Sequence, residues 1–406
     1  MASPEASKRG GGGRRQGFGG SEGAGMPMDV LFEILLRLPA KDICRFRAVC
    51  RSWRAMTTRR VFVRAYAARN PGPYVATSFA DDDGGGESCG VDITDLYSGD
   101  VVKRIRTDVR GFRVQRTRSD LVCLVEGANP LAVTVLNPVT GATCTAAKSI
   151  SDEYDHLLLE SGRGSVTMDS CALGKVPSTR EYKVLRFLQC GYLQQLCEVM
   201  TLHRSGVSQW RAAESPPAPV SVRNKTRSVV INGVVYFLFD FQGCLYIYPH
   251  MAIPPGCILP FDLETEEWMG IMNGPEPVTA FYKENNVLFL SPSHENLEHV
   301  SLADLNGCLA TVHTIYGSCM DLWFLSDPEE GLWVKKYSLS FQYLRLKDYP
   351  LLLFDDEEIV FLAQAPDCLR SYYPEAGTYA DFLDLENVRS VGIYTGNLLS
   401  FRSGFY

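Results

Sequence analysis

Residues 26–60 read MPMDVLFEILLRLPAKDICRFRAVCRSWRAMTTRR. Leu31, Ile34, Leu35 and Leu38 fall at i, i+3, i+4 and i+7, the spacing of one apolar helix face. Pro39 is expected to stop that helix, because the residue before a proline is pushed out of the α region. A second apolar period follows at Ile43, Phe46, Cys50 and Trp53. Two or three short helices of this length cannot enclose a self-supporting core. The segment is therefore expected to be completed by a partner.

These residues also resemble the F-box, the motif that docks substrate receptors onto the Skp-type adaptor of cullin–RING ubiquitin ligases. The matching pieces are Met26-Pro27, Asp29-Val30-Leu31, Glu33-Ile34-Leu35, Arg37-Leu38-Pro39, Arg45-Phe46-Arg47, Val49-Cys50 and Ser52-Trp53-Arg54. Met26 stands where the family usually has Leu. By motif position, the resemblance implies adaptor contacts at Pro27, Leu31, Ile34, Leu38, Pro39, Ile43, Val49, Cys50 and Trp53. A plain helical hairpin packed on its own domain is the bland alternative. A helix-turn-helix DNA reader is the other, suggested by the arginines, but a recognition helix needs polar side chains on base edges, and this one gives its positions to apolar residues.

Charge is unevenly placed. Residues 26–60 carry a net of +5, residues 1–25 a net of +2, and the remainder −14, against −7 for all 406 residues. An acidic body does not hold nucleic acid through bulk charge. A basic head suits an acidic protein partner, and Skp-type adaptors are acidic in the family this head resembles. The 13 cysteines form no CxxC pair and follow no secretory leader. They read as reduced, mostly buried thiols of a cytoplasmic or nuclear protein. No stretch reads as a membrane span: the best, Leu121 to Leu136, is broken by Glu126, Asn129 and Pro130. Residues 1–25, rich in Gly and Arg, are expected to be disordered.

From about residue 72 to 400 the texture is β. Ser228-Val229-Val230-Ile231, Asn232-Gly233 and Val234 to Phe239 form the clearest unit, since Asn-Gly between apolar runs is the strongest short hairpin signal. Leu305-Asn306-Gly307-Cys308 repeats it, and Asn285-Asn286 and Asp355 to Glu358 occupy similar places. A second element recurs, a strand, a tight turn and a strand ending in an aromatic. It is read at Leu136 to Gly141, Phe261 to Trp268 and Tyr372 to Tyr379, and more loosely at Asp95 to Gly99 and Leu202 to Trp210. A hairpin plus such a unit makes a four-stranded blade, and blades at intervals of about 40–50 residues signal a β-propeller. About six to eight blades are expected, in a body nearly free of helix. The same stretch resembles the plant F-box-associated domain, a kelch-like propeller, with further matches at Tyr182-Lys183-Val184, Met320 to Trp323, Leu332 to Tyr337 and Val391 to Tyr394.

Catalytic patterns are weak. Gly19 to Gly23 fits GxSxG but lacks the strand and helix that an elbow needs. His294 and His299 are five apart, which points them to different helix faces. The acids at Glu264/Glu266/Glu267, Glu329/Glu330 and Asp355 to Glu358 sit at turns and read as solvated surface. No catalytic residue, metal site or cofactor is expected. The reading is a small α-helical F-box over 26–65 followed by an all-β propeller over 72–400, acting as a non-catalytic substrate receptor. Its partners are a Skp-type adaptor, through it a cullin–RING ligase, and an unknown protein substrate, with no nucleic acid and no membrane. A propeller enzyme or sugar-binding propeller with a helical cap is the rival of another class.

Overall fold

Helices α1 (Met28–Leu35), α2 (Ala40–Phe46), α3 (Arg51–Thr58) and α4 (Arg60–Arg69) form a head in front of six β-sheets. This computed structural model describes residues 26–399 except 39, 70–71, 82–87, 110, 127–130, 147–148, 162–165, 191–193, 204–207, 222–227, 241–252, 255, 279–297, 316–317, 341–347, 355–356, 365–366 and 386–390. The head differs from its expected form in two ways. The period from Ile43 to Trp53 is not one helix: Cys50 is extended (φ −155°, ψ 164°) and caps α3, its Sγ accepting the Trp53 N–H at 3.4 Å. A fourth helix carries the head on to Arg69.

The strands follow in chain order. The first are β1 (Tyr74–Asp81), β2 (Ser88–Asp95) and β3 (Val101–Thr107), then β4 (Phe112–Val114), β5 (Arg118–Ser119), β6 (Val122–Glu126), β7 (Val133–Leu136) and β8 (Thr143–Thr145). Helix α5 (Asp152–Ser161) precedes β9 (Val166–Lys175), β10 (Tyr182–Cys190), β11 (Gln194–Thr201) and β12 (Arg211–Ala213). Next come β13 (Val229–Ile231), β14 (Val234–Leu238), β15 (Ile258–Asp262) and β16 (Glu267–Trp268), then β17 (Glu298–Leu305), β18 (Cys308–Ile315), β19 (Cys319–Asp327) and β20 (Leu332–Ser340). Last are β21 (Tyr349–Leu353), β22 (Ile359–Gln364), β23 (Asp367–Tyr373), β24 (Thr378–Asp384) and β25 (Val391–Tyr394).

Five blades are consecutive antiparallel sheets: β4-β6-β7-β8, β9 to β12, β13 to β16, β17 to β20 and β21 to β24. The sixth, blade 1, is shared between the chain's ends. Its innermost strand is β25, paired with β1 in the register Tyr74↔Tyr394 to Thr77↔Val391, followed by β2 and β3. The ring is thus a six-bladed propeller closed by a late strand on an early one. β5 adds a short parallel pairing to the inner edge of β25.

The core sits between blades. Phe187 of blade 3 meets Phe237 of blade 4 at 4.7 Å between ring centroids, and Trp268 closes on Phe261 at 5.2 Å. Between blades 2 and 3 the fully buried Arg186 binds Glu198 at 2.6 Å. Its remaining fork reaches the Leu131 carbonyl at 2.9 Å and the Ser149 carbonyl at 2.7 Å, with the Trp210 ring 3.9 Å from the guanidinium. A buried pair needs such additional hydrogen bonds to offset its desolvation.

The expected hairpins are present where the residues are described. Asn232 (φ 50°) and Gly233 (φ 83°) join β13 to β14, and Asn306 (φ 59°) and Gly307 (φ 77°) join β17 to β18. Asn285-Asn286 lies outside the described residues. The recurrent strand–turn–strand element is the third-to-fourth strand hairpin of its blade, and a side-chain oxygen often folds it. Asp95 Oδ1 accepts the Tyr97 and Ser98 N–H groups, and Asn137 Oδ1 accepts that of Val139. The body is not wholly β. Helix α5 carries Asp152, Glu153 and Asp155 in its first turn, where carboxylates favour the positive helix end, and Tyr154 donates to the Ala213 carbonyl at 2.6 Å.

At Gly233 both conformation and space exclude a side chain: an added Cβ would lie 2.7 Å from Pro177 Cδ. Gly233→Ala is expected to destabilise the protein by about 1–3 kcal/mol, the cost of holding an L-residue in a sparsely populated conformation. Thermal unfolding of the full chain checks this.

Candidate functional site

Helix α1 is apolar on two sides. Six of its eight residues are apolar. Leu31 and Leu35 share one row at i, i+4 and are buried, while Val30 and Ile34 share the adjacent row and are exposed. Met26 and Met28 are exposed as well. The inward row is held by Phe32, whose ring meets Phe62 of α4 edge-on at 5.1 Å. Arg69 of α4 reaches back to Glu33 at 3.3 Å, and the Tyr66 hydroxyl donates to the Leu38 carbonyl at 3.0 Å. Burial, above all, pushes the Tyr66 phenol upward, so it stays a neutral donor.

The inward face is completed by the propeller. Leu31, Leu35, Leu36, Ile43, Met56, Phe62 and Tyr66 share one buried cluster with Ile105 of β3, Tyr394 of β25 and Leu398 and Leu399 beyond it. This corrects the expectation that an outside partner completes the head's core. The physical reason is supply: the ring offers apolar surface at its closure, next to where α4 leads into β1.

Arg47 fastens this contact. Its Nη2 donates to the Thr57 carbonyl at 2.8 Å and to the Leu399 carbonyl at 3.2 Å, and its Nε to Thr57 Oγ1 at 3.3 Å. Burial lowers its pKa from the ordinary arginine value, although the group stays charged. Asn397 adds a second tie, donating to the Val63 carbonyl at 2.9 Å. Nothing in the sequence marks either residue as a fastener, because their partners are backbone carbonyls far along the chain.

The nine motif residues therefore divide. Pro27, Ile34 (37 % exposed), Val49 (64 %) and Cys50 lie on the surface. Leu38 and Trp53 are half-buried, Trp53 edge-on to Phe46 at 5.2 Å. Leu31 (7 %) and Ile43 (0 %) lie inside, beneath the face. Pro39 is outside the described residues. The sequence reading missed Met26, Met28, Val30 and Val61 as exposed apolar groups. The signal was available in α1, where two adjacent rows are both apolar and only one can face inward.

Of the acids weighed as catalytic groups, Glu267, Glu329 and Glu330 are exposed at their turns, Asp355 and Asp356 lie outside the described residues, and Glu264 and Glu266 join blades. Glu266 is not merely solvated: it pairs with Lys183 at 2.8 Å and Arg211 at 2.5 Å, tying blade 4 to blade 3. Ser178 donates to Glu264 Oε1 at 2.5 Å across the same seam. His299 lies on β17, whereas His294 and the GxSxG segment are outside the described residues. Among the described residues, no group of three His, Cys, Asp or Glu side chains is placed to hold a metal, and no helix is long and apolar enough to cross a membrane.

Two family models match the chain. Residues 24–64 match the F-box domain, and residues 94–372, more than half of the chain, match the F-box associated beta propeller domain. The chain belongs to the F-box proteins with an associated β-propeller. Its relatives include an F-box protein of Arabidopsis thaliana, 24% identical over 352 residues (78% of this chain, 72% of the relative). An F-box/kelch-repeat protein of the same plant is 23% identical over 373 residues (87% and 89%). Among solved structures, the chain is similar to one from a nidogen/laminin complex, at 10% identity and a TM-score of 0.43, covering 80% of this chain and 98% of that one. A virginiamycin B lyase from Staphylococcus aureus is similar at 8% identity and a TM-score of 0.38, covering 78% of this F-box chain and 87% of the lyase.

Arg47→Met is expected to loosen the head while leaving the blades intact. It removes a charge-assisted donor from two buried carbonyls, a cost of about 1–3 kcal/mol. Hydrogen exchange of α2 and α3 amides should accelerate, with β17 to β20 unchanged.

Proposed function

We infer that this protein is the substrate-recognition subunit of an SCF-type E3 ubiquitin ligase. The F-box head binds a Skp-type adaptor and through it the cullin–RING assembly. The propeller presents a target protein. The chain itself contributes no bond-making group in this reading; it raises the effective concentration of target lysines at the ubiquitin-charged enzyme. A cytoplasmic or nuclear site of action accompanies it.

The observation that carries the docking half is the outward row of α1 on a helix whose other row is already buried in the same chain. An apolar surface left outside a finished core marks an interaction site. Pro27, Ile34, Val49 and Cys50, flanked by half-buried Leu38 and Trp53, are proposed to contact the adaptor directly. Leu31 and Ile43 are proposed to set the face from within. The basic character of residues 26–60 favours an acidic partner by steering.

For the target, the face away from the head is proposed. α4 leads into β1 beside the end of β2, where the Leu96 N–H donates to the Pro73 carbonyl at 3.2 Å. That is the face of tight turns such as Asn232-Gly233 and Asn306-Gly307. The opposite face is where β8 ends and β9 begins and where β14 ends and β15 begins, strands separated by more residues than the two-residue turns, and long connections on a rigid scaffold are where recognition residues concentrate.

Replacing Ile34 and Val49 together by Asp tests the docking face without touching the core. Adaptor capture by the full chain should fall by about a hundredfold or more, at ~1.4 kcal/mol per tenfold, with thermal unfolding unchanged. A double variant that still recruits adaptor and cullin at wild-type levels refutes the ligase reading.

A further inference from the structure

The central channel contains an arginine that the described residues do not satisfy. An open cavity at the centre of the ring is lined by residues in or beside the innermost strands of five blades, β9, β13, β17, β21 and β25, and by residues 116–118, which follow β4. Most of the wall is apolar, with Val230, Leu351 and Ile393 among it. Arg116 and Arg118 both line it. The Arg116 Nη1 atom is buried and has no hydrogen-bond partner among the described residues. Its guanidinium lies 5.4 Å from the centroid of the Tyr349 ring, itself in the lining. Arg118 donates from Nη1 to Asn306 Oδ1 at 3.3 Å, a neutral acceptor. The acid in the lining is Asp304, whose Oδ1 already accepts the Gly307 N–H at 2.7 Å. Burial is the main influence on that carboxyl and raises its pKa, while the charge of Arg118 and the Gly307 N–H pull it the other way.

A buried guanidinium nitrogen without an acceptor is costly, and buried polar groups are otherwise paired. The buried Arg186 shows the contrast within this same fold. Each of its three nitrogens has an acceptor, one carboxylate and two carbonyls.

We propose that the central channel binds a small oxyanion group, a carboxylate or a phosphate, held by Arg116 with Arg118 beside it. The planar fork of a guanidinium matches the two oxygens of either group. Apolar walls strengthen such a contact by excluding water. The oxyanion has two possible sources, a free ion or an acidic side chain on a protein segment, and the chemistry is shared between them. This site is separate from the docking face and stands whether or not the head recruits an adaptor.

The test is calorimetric titration of the full chain at constant ionic strength. The probes are inorganic phosphate, acetate, and the capped tripeptides acetyl-Gly-phosphoserine-Gly-amide and acetyl-Gly-Glu-Gly-amide. Saturable binding is expected with a Kd of about 1 mM or tighter for at least one probe. R116M is expected to weaken it about tenfold or more, R116K less, and R118Q is the second variant should R116M fail to fold. Arg113, exposed on β4, is the control: R113M should bind as wild type does. Tripeptides binding more tightly than their free ions identify a protein segment as the source, and the reverse order identifies a free ion; either supports the site. Absence of saturable binding by all four probes overturns the proposal. So does equal binding by wild type and by the folded R116M or R118Q variant, which means an adventitious ion only.

Discussion

Ring closure is the constraint on which the rest depends. Val391 to Tyr394 must pair with Tyr74 to Thr77 across almost the whole chain. Until it does, blade 1 lacks its inner strand, and the apolar cluster between blades 6 and 1, with Val75, Leu351 and Ile393, stays open. The inner edge of β25 is then covered by the segment leading into β5, where the Ile393 N–H donates to the Thr117 carbonyl at 2.9 Å. Gly392 lets that segment approach closely, since a Cβ there would lie 3.1 Å from the Gln115 carbonyl. The same segment carries Arg116 and Arg118 into the channel. Closure and channel chemistry are therefore built from one piece of chain.

The head is seated on that closure and not on a distant blade. Arg47 binds the Leu399 carbonyl and Asn397 binds the Val63 carbonyl, just past the closing strand. Helix α1 can then leave an apolar row outward without losing its own fold, because its other row is already enclosed. For a bridging receptor this has a mechanical meaning. Two protein surfaces are held in one packed body, so the distance between them is set by side-chain packing and not by a free linker.

Much of this was legible in the residues. The Asn-Gly hairpins at 232–233 and 306–307 follow from the positive φ that such turns require. The recurrent turn at Asp95, Asn137 and Asp262 follows from a side-chain oxygen that can fold back on the next N–H groups. Helix α5 also has a legible start, Ser151 followed by Asp152 and Glu153, but that signal is hidden in a stretch dominated by strands. The outward row of α1 was visible as apolar residues, but not as outward.

By itself, the sequence determined the kinds of element, their order and the family to which they belong, because turn chemistry and apolar period act over a few neighbouring residues. Only the tertiary structure decided which row of α1 faces solvent, that Ile43 is enclosed by the chain's own propeller, and that Glu266 joins two blades. It alone brought Arg116, Asp304 and Tyr349 to one channel. Those outcomes depend on contacts between residues tens to hundreds of positions apart, and no local pattern encodes which distant surface will arrive.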